Sequence, residues 1–381
     1  MNTAHMKKPL IPHLQLLAAL SVAAAVSCAR PLADIDLDAP TGTGPLVEVL
    51  FSASDGTEGP ASTRATLILP ENEQHIARWA VFAFDRESPW FAYATSSSGA
   101  GVSLRLRAGR RYSCYAIANY PTSGAGAFNP ASVRAPEDLT GKVAYLSDNT
   151  ATSLLMFGTD EVTPSASAYD PARGDALPSE EKTIGVTRLV SRIDVSGIRV
   201  DFSGKPHLAG KAFVLRHIYV TNTYRTTRYS SDYTFSELSA SRGAWYNTMG
   251  WHRGESPDGG MDALTADRGI DAVLSGSVIH STPHSFYVFP NPTPRSADNH
   301  DISEWTRRST RVILEATLGG DTVYYQVNLP AMQRNHIYSA QNIVIRGRGS
   351  NDPELLDFDP DVIDLSLVID DDWNAGEDIN L

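Results

Sequence analysis

Residues able to do chemistry are plentiful in this chain, but they do not stand in working arrangements. His280 and His284 have the spacing of two metal ligands on one helix face, yet Pro283 and the strand-rich surroundings spoil that geometry, so no metal is expected there. Asp357, Asp359 and Asp361 begin like a calcium loop. Val362 then stands where the sharp turn needs glycine, and no bidentate glutamate follows at the right distance, which leaves a solvated acidic linker. No GxSxG elbow, HExxH helix, Walker loop or dinucleotide fingerprint occurs. Isolated Ser, His and Asp residues carry no catalytic information without placement on strand ends. The chain is therefore read as a non-enzyme without a cofactor. Arg173-Gly174-Asp175 has the form of an integrin-type adhesion tripeptide, but so short a match in a polar stretch arises easily by chance. Two cysteines, Cys28 and Cys114, exclude a disulfide framework, and no CxxC is present to hold zinc. Cys114 sits in the strand-like run 112–117, where a buried, inert thiol is expected.

The elements that would position any site read as strands. Leu46-Val47-Glu48-Val49-Leu50-Phe51 and 79–84 are short apolar runs, and Val102, Leu104 and Leu106 alternate with Ser103, Arg105 and Arg107. Further strands are expected at 193–195, 213–220, 286–289 and 343–345, and a tight glycine turn at Gly319-Gly320 joins 310–318 to 322–329. Helical periodicity is scarce, and 136–146 is its best short instance. Many short strands with turn signals between them predict an all-β chain of β-sandwiches. At 381 residues, with 42% hydrophobic and 20% charged, the chain suits two cores better than one, and the polar stretch 160–183 makes a natural boundary. A net charge of −12 with no basic stripe sets nucleic-acid binding aside.

The first 27 residues read as an address. Lys7 and Lys8 precede an apolar run from Leu14 to Val26, with small residues before Cys28. The segment resembles a bacterial lipoprotein signal, although Ala25 stands where leucine is usual. That resemblance makes Cys28 the lipidated (palmitate-type) N-terminus of an outer-membrane precursor; the other reading is a plain secretory signal with an incidental cysteine. Residues 29–44 read as a flexible tether.

Several stretches, in order, resemble the fimbrillin family, the lipoprotein-derived type V pilins of Bacteroidales-type bacteria. They are Ala116-Ile117-Ala118-Asn119, Leu154-Leu155-Met156-Phe157, the basic run 186–195, and Phe286-Tyr287-Val288-Phe289-Pro290-Asn291. At the C-terminus come Arg334-Asn335-His336-Ile337-Tyr338, the glycine-containing stretch 343–354, a last strand at 362–369 and a late Trp373. The resemblance implies two transthyretin-like β-sandwich domains, 65–183 and 184–381, with no catalysis, behind a propeptide at 28–64. It also implies export as a lipoprotein and removal of the first strand by an arginine-specific protease before the subunit joins a surface fimbrium supporting cell adhesion. Arg64, followed by Ala65 in a small-residue loop, is the position that looks like the cut; Arg30 is a rival, but cleavage there would release no strand.

The step from cutting to fibre has a physical basis. Losing Leu46, Val47, Val49, Leu50 and Phe51 would leave unpaired backbone and an uncovered apolar floor, a template for another chain's strand. Ile363, Leu365, Leu367 and Ile369 alternate with Asp364, Ser366 and Val368 and could fill it, in a head-to-tail contact that need not close. The same alternation would equally suit a strand paired within its own domain. The expected partners are neighbouring fimbrial subunits, the protease and, for the precursor, the outer membrane. The competing reading is a lipid-anchored surface binder of glycan or host protein that never polymerises, with Tyr224, Trp245, Tyr246 or Trp251 available to stack on sugar rings if exposed.

Overall fold

A period of two in hydrophobicity forces strands, because only the pleat sends alternate side chains to opposite faces. A computed structural model of the chain, which describes residues 44–54, 73, 75–165, 177–239, 241, 244–246, 268–297, 307–353, 361–373 and 375–377, is accordingly all-β. The first group of strands is β1 (Leu46–Ser54), β2 (Trp79–Asp85), β3 (Phe91–Ser96), β4 (Val102–Arg107), β5 (Tyr112–Ala118), β6 (Val143–Tyr145), β7 (Met156–Val162), β8 (Ser179–Gly185) and β9 (Thr187–Arg188). The second comprises β10 (Ser191–Val195), β11 (Arg199–Val200), β12 (Phe213–Thr221), β13 (Thr223–Tyr224), β14 (Thr226–Arg228), β15 (Trp245–Tyr246) and β16 (Arg268–Leu274). It continues with β17 (His284–Val288), β18 (Arg311–Leu318), β19 (Asp321–Asn328), β20 (Ile337–Ile345), β21 (Ile363–Asp372) and β22 (Ala375–Glu377).

In the first group a three-stranded sheet, β4-β1-β8, faces a five-stranded one, β3-β2-β5-β7-β9, across a core that includes Val47, Phe51, Trp79, Val81, Leu104 and Cys114. In the second, the sheet β17-β10-β20-β21-β22 faces β16-β12-β18-β19 across Ile193, Leu215, Phe286, Leu314, Val323 and Ile345. A third core joins the groups. The far face of β2 (Ala80, Phe82, Phe84) meets Tyr229, Tyr287, Phe289, Ile337 and Trp373. With both faces covered, β2 needs apolar residues throughout, and Trp79–Phe84 is a continuous run for that reason.

The expected hairpin at 310–329 is present: Leu318 pairs with Asp321, and Gly319 and Gly320 take φ of +62° and +100°, values for which glycine carries no Cβ penalty. The helical stretch at 136–146 is realised only as α1 (Glu137–Thr140); Val143–Tyr145 instead pair as β6 with β14, tying the two groups of strands together. β8 and β9 pair with β1 and β7, so the chain passes from one group to the other between Arg188 and Ser191.

Candidate functional site

β1 lies in the middle of its sheet. It runs antiparallel to β4, matching Val47 to Leu106, Val49 to Leu104 and Phe51 to Val102, and parallel to β8 from Glu48–Ser179 to Ser54–Gly185. Val47, Val49 and Phe51 have no exposed area, whereas Leu50 on the opposite face is 42% exposed and Leu46 is half-buried. The apolar run therefore divides, as any strand over a core must, into three residues that fill the interior and two that do not. Outward, Glu48 is opposite Arg105. Both walls of the β1 slot are thus complete strands, and each ladder would be left open on one side by its loss.

Its wall β8 escapes a reading by hydrophobicity. The strand Ser179–Gly185 is polar and largely exposed until Ile184, which enters the core, and it lies partly within the polar stretch read as a boundary.

The last strand, β21, is paired within its own chain. It runs antiparallel to β20, with Tyr338 opposite Ile369 and Ala340 opposite Leu367, across an irregularity between Gln341 and Val344. Ile363 and Leu367 are buried, while Leu365 and Ile369 are half-buried against the same core. Its other edge carries only the short β22. A long apolar strand is thus held from one side, in a sheet where only half of its aliphatic stripe is dry.

Immediately after β21, Trp373 enters a buried polar joint. Its indole Nε1 donates to Glu73 at 3.1 Å, its ring stacks on Tyr287 and carries the Arg188 guanidinium 4.8 Å from its centre, and its backbone N–H donates to the Asn335 carbonyl. Glu73, 1% exposed, also accepts from Arg192 Nη1 at 3.0 and 3.2 Å and from the Tyr287 hydroxyl, and its carbonyl accepts from Arg188 Nε. Arg192 Nε donates to Asp194 at 2.8 Å, and Arg192 Nη2 donates to Ser285 Oγ, which donates in turn to Asp194. Burial by itself would lower the Arg192 pKa, but the charges of Asp194 and Glu73 outweigh it and raise the group above its ordinary value. Burial, with the Glu73 charge behind it, pushes the Tyr287 hydroxyl upward, so it stays a donor.

The motifs that carried the family resemblance prove to be joints of this kind. Asn335, at φ +58°, accepts from the Arg188 backbone N–H and guanidinium; the Arg334 guanidinium binds Asp232 and the carbonyls of Arg228 and Tyr229; the Tyr338 hydroxyl accepts from the Gln333 N–H. Asn119, at φ +56°, gathers Ala77, His75 and Leu154, and Asn291 gathers Asn222, Arg308 and Thr310. A short amide both donates and accepts, and asparagine tolerates the left-handed region, so these positions suit it.

The other side chains singled out in the sequence do not converge. His280 and His284 do meet, despite Pro283: their Nε2 atoms are 2.8 Å apart. Their ring centres are 5.1 Å apart with planes 14° from parallel, so the two nitrogens hydrogen-bond to each other, the tautomers setting which one donates. Burial lowers the pKa of His280. Cys114 is fully buried on β5, and desolvation, then the Asp160 charge, pushes its pKa up to about 12, leaving an unreactive thiol. Trp245 and Tyr224 stack edge to face inside a small core, with no face open to a sugar. Asp361 is exposed beside β21. Cys28, Arg30, Arg64, Ala65, Arg173-Gly174-Asp175, Trp251, Asp357 and Asp359 lie outside the described residues, as does the Tyr246 side chain. Among the described residues no cluster of three or more His, Cys, Asp or Glu could hold a metal ion.

No family model and no curated protein sequence matches the chain. Solved structures do. A candidate cell adhesion protein from Bacteroides eggerthii superposes with a TM-score of 0.56 at 14% identity, over 87% of this chain and 97% of that one. Another, from Parabacteroides distasonis, gives 0.53 at 17% identity, over 86% and 96%. A fimbrilin from Porphyromonas gingivalis gives 0.50 at 14% identity, over 84% and 95%. The chain shares their fold, and the resemblance read from its sequence holds at that level.

Proposed function

We propose that this chain is a fimbrillin-type subunit of a surface fimbrium, exported as a lipoprotein through Cys28, cut after Arg64 and polymerised by strand donation to support adhesion. The observation that carries the reading is the setting of β1: central in its sheet, with Val47, Val49 and Phe51 wholly inside, and upstream of the proposed cut in a polar stretch. Burying these three contributes on the order of 5–9 kcal/mol gross, so a subunit without β1 has strong reason to take a replacement. Fimbrial and adhesion-associated structures with the same fold support the assignment.

The donor is β21 of a neighbouring copy. Its Ile363, Leu365, Leu367 and Ile369 have the period of Val47, Val49, Phe51 and Ala53, and only two of the four are fully used in cis. A strand that exchanges a half-wet stripe for a dry slot gains burial, which offsets the cost of association. The two sheet groups, which the chain links between Arg188 and Ser191 and not at 183/184, are the two sandwich domains of this reading. The function is mechanical, with no reaction assigned. The non-polymerising binder is less favoured, since Tyr224 and Trp245 serve the interior.

Mass spectrometry of protein extracted from fibres tests the reading. A subunit beginning at Ala65 is expected; fibres containing only lipidated Cys28 would overturn it.

A further inference from the structure

We propose that the contact between Glu73 and Trp373 is a clasp that holds the last strand in its own chain after the first strand has been removed. The clasp concerns the donor strand of the function proposed above, and in that sense rests on it.

Three observations point this way. First, β21 has one long partner, on one side only, with an irregular register and two half-buried aliphatics beside the buried Ile363 and Leu367. Second, the residue directly after it is secured from four sides: Glu73 on the indole N–H, Tyr287 and Arg188 on the ring, and the Asn335 carbonyl on the backbone. Arg188, Tyr287 and Asn335 belong to β9, β17 and the turn before β20, so the groups that hold Trp373 lie outside β21. Third, Glu73 lies nine residues downstream of Arg64. A cut there discards β1 but keeps Glu73 in the mature chain, so cutting opens the acceptor slot without loosening the donor.

The consequence is two separate controls. For β21 to depart, Trp373 must be drawn out of a buried site, and Glu73 must give up one of its donors. Arg192 and Tyr287 remain on Glu73 throughout, so the acidic half of the clasp stays paired and the strand can return. Freshly cut subunits therefore persist with an empty slot and a fastened donor, and join only when the clasp opens.

The test uses the full chain, before and after cleavage at Arg64, and follows hydrogen exchange at β21 amides in W373F, which keeps an aromatic ring but lacks the N–H, and in E73Q. V323A, in the core between the second pair of sheets, controls for general loosening. Exchange at β21 should rise about tenfold or more in both clasp variants, as loss of a buried hydrogen bond to a charged group implies, while β18, which contributes none of the described contacts to Glu73 or Trp373, is unchanged. V323A should raise exchange across β12, β18 and β19 instead. Unchanged β21 exchange in W373F would overturn the clasp, as would a rise shared equally by all second-group strands; should E73Q fail to fold, W373F alone decides. Fibre growth is then compared. Faster growth in W373F supports gating by the clasp, and equal growth despite faster β21 exchange overturns it. If the wild-type chain never assembles while β21 exchange responds as expected, the clasp stands and the donor assignment fails.

Discussion

The first strand, β1, and the last long strand, β21, are held by opposite means. β1 is laced on both sides, to β4 and β8, and its inward residues are completely dry. β21 is laced chiefly on one side, and its attachment is concentrated past its end, at Trp373. A strand fixed along its whole length comes out only if the chain is cut, because every ladder bond and every core contact must be lost together. A strand laced along one side and clasped past its end can peel from that end once the clasp gives. Under the proposed function, the contrast fits an irreversible step at β1 and a reversible one at β21.

The contrast breaks most visibly within β1 itself. Phe51→Asp puts a charge into the floor of the slot and should cost at least about 4 kcal/mol in denaturant unfolding of the uncut chain. Leu50→Asp, one residue away on the wet face, should stay within about 0.5 kcal/mol. Equal effects would mean that β1 is not read by its faces, and the slot would lose its meaning. Next comes the joint under β21. Arg192→Ala leaves Glu73 and Asp194 facing each other in a buried site and should cost about 3–5 kcal/mol by the same measurement. Leu365→Asp with Leu367→Asp should cost about the same, roughly 3–4 kcal/mol, because Leu367 is buried and Leu365 half-buried against the same core. That pair should nonetheless abolish fibres while secretion continues, and normal fibres from it would remove β21 as the donor.

Much of this was legible in the sequence, and the parts that were not share a cause. Alternation located β4 and β12, and Gly319-Gly320 located the β18–β19 turn, because a period of two and a left-handed turn are local properties. β8 was hidden because an exposed strand needs no hydrophobic pattern: Ser179, Glu180, Glu181 and Lys182 look like linker and become a strand only because β1 offers them a ladder. Glu73 gave no signal at all, since its importance comes from Arg192, Tyr287 and Trp373, which are remote in sequence. Those three did stand in stretches that the family resemblance singled out, yet resemblance names a position without saying what it touches. The pairing of β21 in cis was likewise left open by alternation, which fixes a face but not which sheet receives it.

The smallest effect sharpens the comparison by separating the slot from the sheet opposite it. Asp85 ends β2, where the Arg110 guanidinium binds it at 2.6 Å and the Glu87 N–H and Ser88 hydroxyl donate to it. Burial alone would raise its pKa, but the Arg110 hydrogen bond and those two donors outweigh burial and hold the carboxyl below its ordinary value of 3.8. A carboxylate with a lowered folded pKa stabilises the fold at any pH above 3.8, and that contribution fades as pH falls through the lowered value. Asp85→Asn should therefore lower the melting temperature at neutral pH, and its deficit against wild type should shrink below pH 3.8. Because Asp85 belongs to the sheet facing β1 and is held by Arg110, Glu87 and Ser88, none of them in β1, β4 or β8, the deficit should be the same size in the uncut and the cut chain. A deficit that grows after cutting would mean that loss of β1 loosens the opposite sheet as well, and that the removable strand supports the whole first sandwich rather than plugging one slot in it.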